Sequence, residues 1–124
     1  MDPFTIKRGN TSPSLLYALP AKVVSATGAK VPFSLAGATA QFSLRLRDGA
    51  RTKIISLAQA NILTNGLTIV DGRELGPILE YVWKAGDTNL AALHEGEFKI
   101  TFSDGFIQTF PPDSYIPVSI HEDI

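Results

Sequence analysis

One stretch constrains this chain more than any other: a run of strict in-and-out alternation with an Asp-Gly pair directly behind it. Phe98, Ile100 and Phe102 alternate with Glu97, Lys99 and Thr101, the period-2 pattern of a strand with one buried and one solvated face. Asp104-Gly105 then predicts a two-residue hairpin turn, in which both positions take positive φ. The return strand carries Phe106, Gln108 and Phe110 on one face and Ile107 and Thr109 on the other, and either set fits the core. Upstream, Leu79, Tyr81 and Trp83 alternate with Glu80 and Val82. Each buried aromatic removes roughly 150–250 Å² from water, so these residues supply much of any core. Phe42, Tyr81, Trp83, Phe98, Ile100 and Phe102 are the expected fold-defining set.

The remaining segments are also short and strand-like. Pro3 to Arg8 sets Phe4 and Ile6 on one face, and Gly9 to Pro13 is a turn cluster. Ser14 to Leu19 predicts a second strand that Ala21 to Ser25 extends, and the short Pro32 to Leu35 suits a sheet edge. Ala40, Phe42, Leu44 and Leu46 oppose Gln41, Ser43, Arg45 and Arg47, with Asp48-Gly49 as a second hairpin signal. Ser56 to Leu63 reads as helix by its Ala and Leu content and as strand by the alternation of Ala58, Ala60 and Ile62; strand is preferred. Asn65-Gly66 and Asp71-Gly72 bracket Leu67 to Val70, which suggests a further small hairpin or ribbon there. Asp87 or Thr88 is placed to cap one helical turn within residues 87–93. The last strand is Tyr115 to Ile120. Many short strands between Gly, Pro, Asp and Asn turns predict an all-β, immunoglobulin-like antiparallel sandwich with that single helical turn.

A chain of 124 residues has room for one core, so residues 1–124 are expected to form a single domain. It has no cysteine, which removes disulfides and thiolate chemistry. A net charge of −1, with the basic residues scattered, argues against a nucleic-acid partner. No apolar run reaches the length of a membrane span and the first ten residues lack the signal-peptide pattern; a soluble chain made in a cytoplasm is the expectation.

Chemistry finds few footholds. His94 and His121 are 27 positions apart, without ligand spacing, and His94 reads as a surface or strand-end residue. No serine lies in a G-x-S-x-G elbow. Asp71, Glu74, Asp87, Asp104 and Asp113 stand at turns, where turn formation and capping account for them. Gly9, Gly49, Gly66, Gly72 and Gly105 are placed where turns need positive φ. No catalytic residue, cofactor or metal is therefore expected. Binding through sheet edges remains. Phe4 and Ile6 near the start, and Ile116, Val118 and Ile120 near the end, are the candidate interface edges, able either to join a neighbour or to complete their own sheet.

The segments FTIKRGNTSP, GPILEYVWKAGDTNLA and EGEFKITFSDGFIQTFPPDSYIPVSI together resemble the immunoglobulin-like N-terminal domain of tailed-phage upper baseplate and fibre-attachment proteins. The matching positions are Lys7, Gly9 and Thr11; Tyr81 and Trp83; Asp87 and Thr88; Gly96, Phe98 and Phe102; Asp104 and Gly105; Thr109 and Pro111. Asn10 stands where the pattern has an acidic residue, and Ala92 to Glu95 lengthens the run before Gly96. The resemblance implies a non-enzymatic virion component: an adaptor or accessory subunit at the tail tip, baseplate or fibre-attachment site. It would be made in the host bacterial cytoplasm and packed against other virion proteins and copies of itself, without nucleic acid or membrane. Capsid decoration is the alternative within that class. A carbohydrate-binding module, with Tyr81 and Trp83 as a stacking platform, is the more distant one.

Overall fold

The computed structural model describes residues 3–24 and 27–123, and every regular element in it is a strand. They are β1 (Phe4–Lys7), β2 (Leu15–Ala18), β3 (Lys22–Val24), β4 (Lys30–Pro32), β5 (Thr39–Leu46), β6 (Lys53–Thr64), β7 (Thr68–Val70), β8 (Arg73–Leu75), β9 (Ile78–Tyr81), β10 (Ala92–Thr101), β11 (Ile107–Phe110) and β12 (Ile116–His121). Of Ala21 to Ser25, Lys22–Val24 makes a strand of its own and Ser25 lies outside the described residues.

The main sheet runs β1-β12-β10-β5-β6-β9-β2, with β11 beside the second half of β10, and it curls until nearly closed. It is mixed, not wholly antiparallel as expected: β1 lies parallel to β12, with Phe4 opposite Val118 and Ile6 opposite Ile120. Parallel neighbours need a long connection, and the first and last strands of the chain have all of it between them.

The Ser56–Leu63 segment is strand. It belongs to β6, which pairs β5 from Lys53 to Ala60 and then β9 from Asn61 to Thr64. Two register slips bend it against β5. At the bend Leu57 has φ 51, and its N–H donates to Ser43 Oγ at 3.0 Å, which satisfies a backbone group that the slip takes out of the ladder.

The alternating positions point where the pattern sends them. Phe42, Leu44, Leu79, Tyr81, Trp83, Phe98 and Ile100 are buried in one cluster, and Phe102 packs partly buried against it. Tyr81 stacks on Phe42 with centroids 4.6 Å apart, Phe42 lies 5.0 Å from Phe98, and Trp83 meets both Phe42 and Tyr81 edge-on. Of the return strand only Phe110 is buried; Phe106 and Ile107 stand in solvent.

Three turn expectations are corrected. No helical turn forms at 87–93: residues 85–88 make a turn, Gly86 has φ 93, and β10 begins at Ala92. The reason lies in Asp87, whose Oδ2 accepts from the Tyr81 hydroxyl and the Lys84 N–H behind it and so is not spent on N–H groups ahead. At Asp104-Gly105 only the glycine has positive φ, 90. Gly105 N–H donates to Phe102 O and Phe102 N–H to Phe106 O, which makes a three-residue loop with the extra residue in the left-handed region. After β5 the loop is longer still, with positive φ at Arg51 and not at Gly49; Arg51 N–H is held by Asp48 Oδ1 at 2.6 Å. Asp71-Gly72, with φ 51 and 75, does form the tight turn between β7 and β8.

His94 is not at the surface. It lies inside β10 between Leu46 and Val118 and is 1% exposed, because the inward phase of the Phe98 and Ile100 alternation extends back through Gly96 to it.

Candidate assembly surface

The two candidate terminal segments pair with each other. Ile6, Ile116, Val118 and Ile120 are buried, and Phe4 packs partly buried, 5.8 Å from the Trp83 ring. β12 is flanked on both sides, by β1 and β10. What the termini offer a neighbour is therefore the outer backbone edge of β1, and their apolar side chains belong to the core.

One end of the sheet is closed by polar ties. Thr88, 1% exposed, donates from its hydroxyl to Asn10 O at 2.7 Å and accepts Gly9 N–H on its carbonyl at 3.0 Å. Arg8 reaches Asp123 at 3.0 Å and Glu122 at 3.7 Å. Burial first, and then the Asp87 carboxylate, push the Tyr81 hydroxyl well above the ordinary tyrosine range. Burial alone raises Tyr17.

The opposite end is built differently. β2 ends and β9 begins there, with Ala18 opposite Ile78, and β6 ends there, with Thr64 opposite Ile78. The connection from β2 to β5 and the connection from β6 to β9 leave as two separate antiparallel ribbons, β3-β4 and β7-β8. Lys22 and Glu74 join them at 3.4 Å. All six residues of β3 and β4 are exposed, and Val24, Ile69 and Val70 stand out from the ribbons into solvent. A two-stranded ribbon on its own is marginally stable, and these bury little of what they carry. Beside them a concavity of about 500 Å³ is lined by Leu35, Ile62, Thr64, Gly66 and Thr68 among others.

The third feature is β11. Among the described residues it pairs only with β10, and it begins beside Phe106, 74% exposed, and at Ile107, 57% exposed. From Gly105 to Pro112 the sequence holds no charged residue. The signal was present in the sequence as a charge-free run closed by two prolines, but alternation alone reads it as core.

On the outward face of β5 and β10, Arg45 pairs with Glu95 at 3.1 Å and lies under the Tyr115 ring, 4.3 Å from its centroid. The guanidinium is thus held by two partners at once. Ser43, Lys53 and Glu97 complete a concavity of about 90 Å³ around it. Among the described residues no three His, Asp or Glu side chains gather as a metal would need, and no helix is long and apolar enough to cross a membrane.

No family model, curated protein or solved structure matches the chain.

Proposed function

We propose that this chain is a non-enzymatic assembly module of a tailed-phage particle, an adaptor or accessory subunit at the tail tip, baseplate or fibre-attachment site. Apolar side chains are displayed on strands that have a neighbour on one side only, and that observation carries the reading: Val24, Ile69, Val70, Phe106 and Ile107 are exposed on two ribbons and one sheet edge. A strand with a free edge recognises another strand by adding to it, and pockets for alternate side chains give specificity. Repeated in several copies, modest contacts of this kind become strong together through effective concentration.

The phage assignment rests on the sequence resemblance, and some of the residues that carry it have defined places in the fold. Tyr81 bonds Asp87, Thr88 ties Gly9 and Asn10, Trp83 packs on Phe42 and Tyr81, and Gly96 leaves room for the Phe42 ring. An immunoglobulin-like sandwich is the finer fold reading, supported by the stacking of Tyr17 on Phe98 and of Tyr81 on Phe42, which brings β2 and β9 over β10 and β5.

Immunogold labelling of purified particles of the encoding phage, imaged by electron microscopy, tests the proposal. Label confined to the distal tail supports it. Label over the head moves the chain to capsid decoration. A particle without label, and without the chain in its mass-spectrometric inventory, removes the virion role.

A further inference from the structure

We propose that β11 is the contact through which two copies of this chain pair, edge to edge and antiparallel, about a two-fold axis at Gln108. The inference deepens the assembly reading above and rests on it.

The backbone geometry sets the register. Phe102 N–H donates to Phe106 O, so Phe102 and Phe106 form a hydrogen-bonded pair of the β10-β11 ladder. Such pairs alternate along an antiparallel ladder, which makes Ile100 with Gln108, and Phe98 with Phe110, bonded pairs as well. Ile107 and Thr109 then turn their N–H and C=O groups away from β10, to the side where no other strand lies. An antiparallel second copy satisfies all of these groups in one register only. Ile107 of each chain faces Thr109 of the other, and the two Gln108 residues meet on the axis.

The side chains suit that register. Phe106 of one copy comes opposite Phe110 of the other, so the exposed Phe106 ring is covered by the second copy at the end of the strand where Phe110 is already buried in its own core, and this happens twice. Edges that avoid such pairing carry lysine, an inward charge or a proline within the strand. Residues 105–110, Gly-Phe-Ile-Gln-Thr-Phe, carry none of them, so a second identical edge meets no like charge along the strand. A closed two-fold pair also uses up both edges, which a head-to-tail contact does not.

The test uses the full chain, which has no cysteine of its own. Two residues facing each other in a non-hydrogen-bonded antiparallel pair have Cα atoms about 4.5 Å apart, inside the disulfide range. Gln108→Cys is therefore expected to cross-link into a covalent dimer under mild oxidation. Leu16→Cys, also exposed but on β2 at the far end of the strand order, serves as the control and is expected to stay behind. Sedimentation equilibrium of the unmodified chain is expected to show a concentration-dependent dimer. Ile107→Lys enters that dimer twice and is expected to weaken it about tenfold or more, while circular dichroism shows the monomer folded. Cross-linking of Gln108→Cys no faster than Leu16→Cys, or a dimer untouched by Ile107→Lys, overturns the inference. Both readouts are made on purified chain, so failure here leaves the particle labelling to decide the assembly role separately.

Discussion

The Tyr81 hydroxyl donates to Asp87 Oδ2 at 2.6 Å, and the same oxygen takes the Lys84 N–H at 2.8 Å. One carboxylate oxygen thus anchors the end of β9 and the turn that follows it. Tyr81→Phe keeps the ring stacked on Phe42 and deletes only the bond, so the expected cost is about 1–2 kcal/mol, read as a lower urea midpoint with unchanged slope. Because burial and Asp87 raise the folded hydroxyl's pKa above that of a free tyrosine, the unfolded chain ionises first. The stability this group contributes is complete below about pH 10 and is lost as pH climbs beyond it. Tyr81→Phe removes that part of the alkaline fall, and unfolding curves across alkaline pH check it.

His94 gives the acid limb. Its Nδ1 lies 3.0 Å from Ala92 O, which fixes Nδ1 as the protonated nitrogen of the neutral ring, and Nε2 is buried without a hydrogen-bond partner among the described residues. Burial lowers the imidazole's pKa, and the bond to Ala92 opposes this without overcoming it. The unfolded chain therefore binds this proton more readily than the folded one. Stability is full above about pH 6.5 and falls as pH drops below it. His94→Leu is expected to fold and to flatten the dependence of the denaturation midpoint between neutral and mildly acid pH. An unchanged slope would mean that another group sets the acid response.

Gly96 fills a different requirement. It lies on the inward face of β10, opposite Leu44, and a Cβ there would come 2.9 Å from Phe42 Cζ and 3.0 Å from Cε1. The Phe42 ring has nowhere to go, because Tyr81 is stacked on it and Phe98 and Trp83 flank it. Gly96→Ala is expected to cost about 1–3 kcal/mol, as overpacked cores do, although alanine is the better residue for an ordinary strand interior. Chemical denaturation measures it, and a gain in stability would show that the ring can shift.

These residues also mark what the sequence made legible. Alternation located β5, β9 and β10 and the faces of Phe42, Tyr81, Trp83, Phe98 and Ile100, because a side-chain period of two is a local property. A turn at Asp71-Gly72 was legible from its residue types, but it lies at the tip of the β7-β8 ribbon and does not close a hairpin within Leu67 to Val70. The parallel pairing of Phe4 with Val118 was not, since nothing local encodes which distant strand comes alongside. Nor was the burial of His94, a polar residue in an apolar phase, or the exposure of Phe106, an apolar residue beyond the reach of the core. The helical turn failed at Asp87 because its carboxylate had partners behind it that only the fold brings near. The candidate assembly surface is the least legible part, since the alternation of Phe106, Ile107 and Phe110 fits an interior on either face.

Leu57 separates local preference from what the fold imposes. It sits in the middle of β6, 45% exposed, yet its φ is 51, in the left-handed region that β-branched residues enter least readily. Its N–H is turned out of the ladder toward Ser43 Oγ, and the slip in the β5-β6 register depends on that turn. At an exposed strand position Leu→Val is ordinarily neutral or favourable. Here Leu57→Val is expected to cost about 1–2 kcal/mol, because the branched side chain must either hold a strained backbone or undo the bulge. Leu57→Asn, a residue that tolerates this conformation, is expected to be neutral or better despite its poor strand propensity. Urea midpoints of the two variants measured side by side decide it: the order Asn above Val supports a bulge that β6 needs in order to pass from β5 to β9, and the reverse order would mean that β6 runs straight.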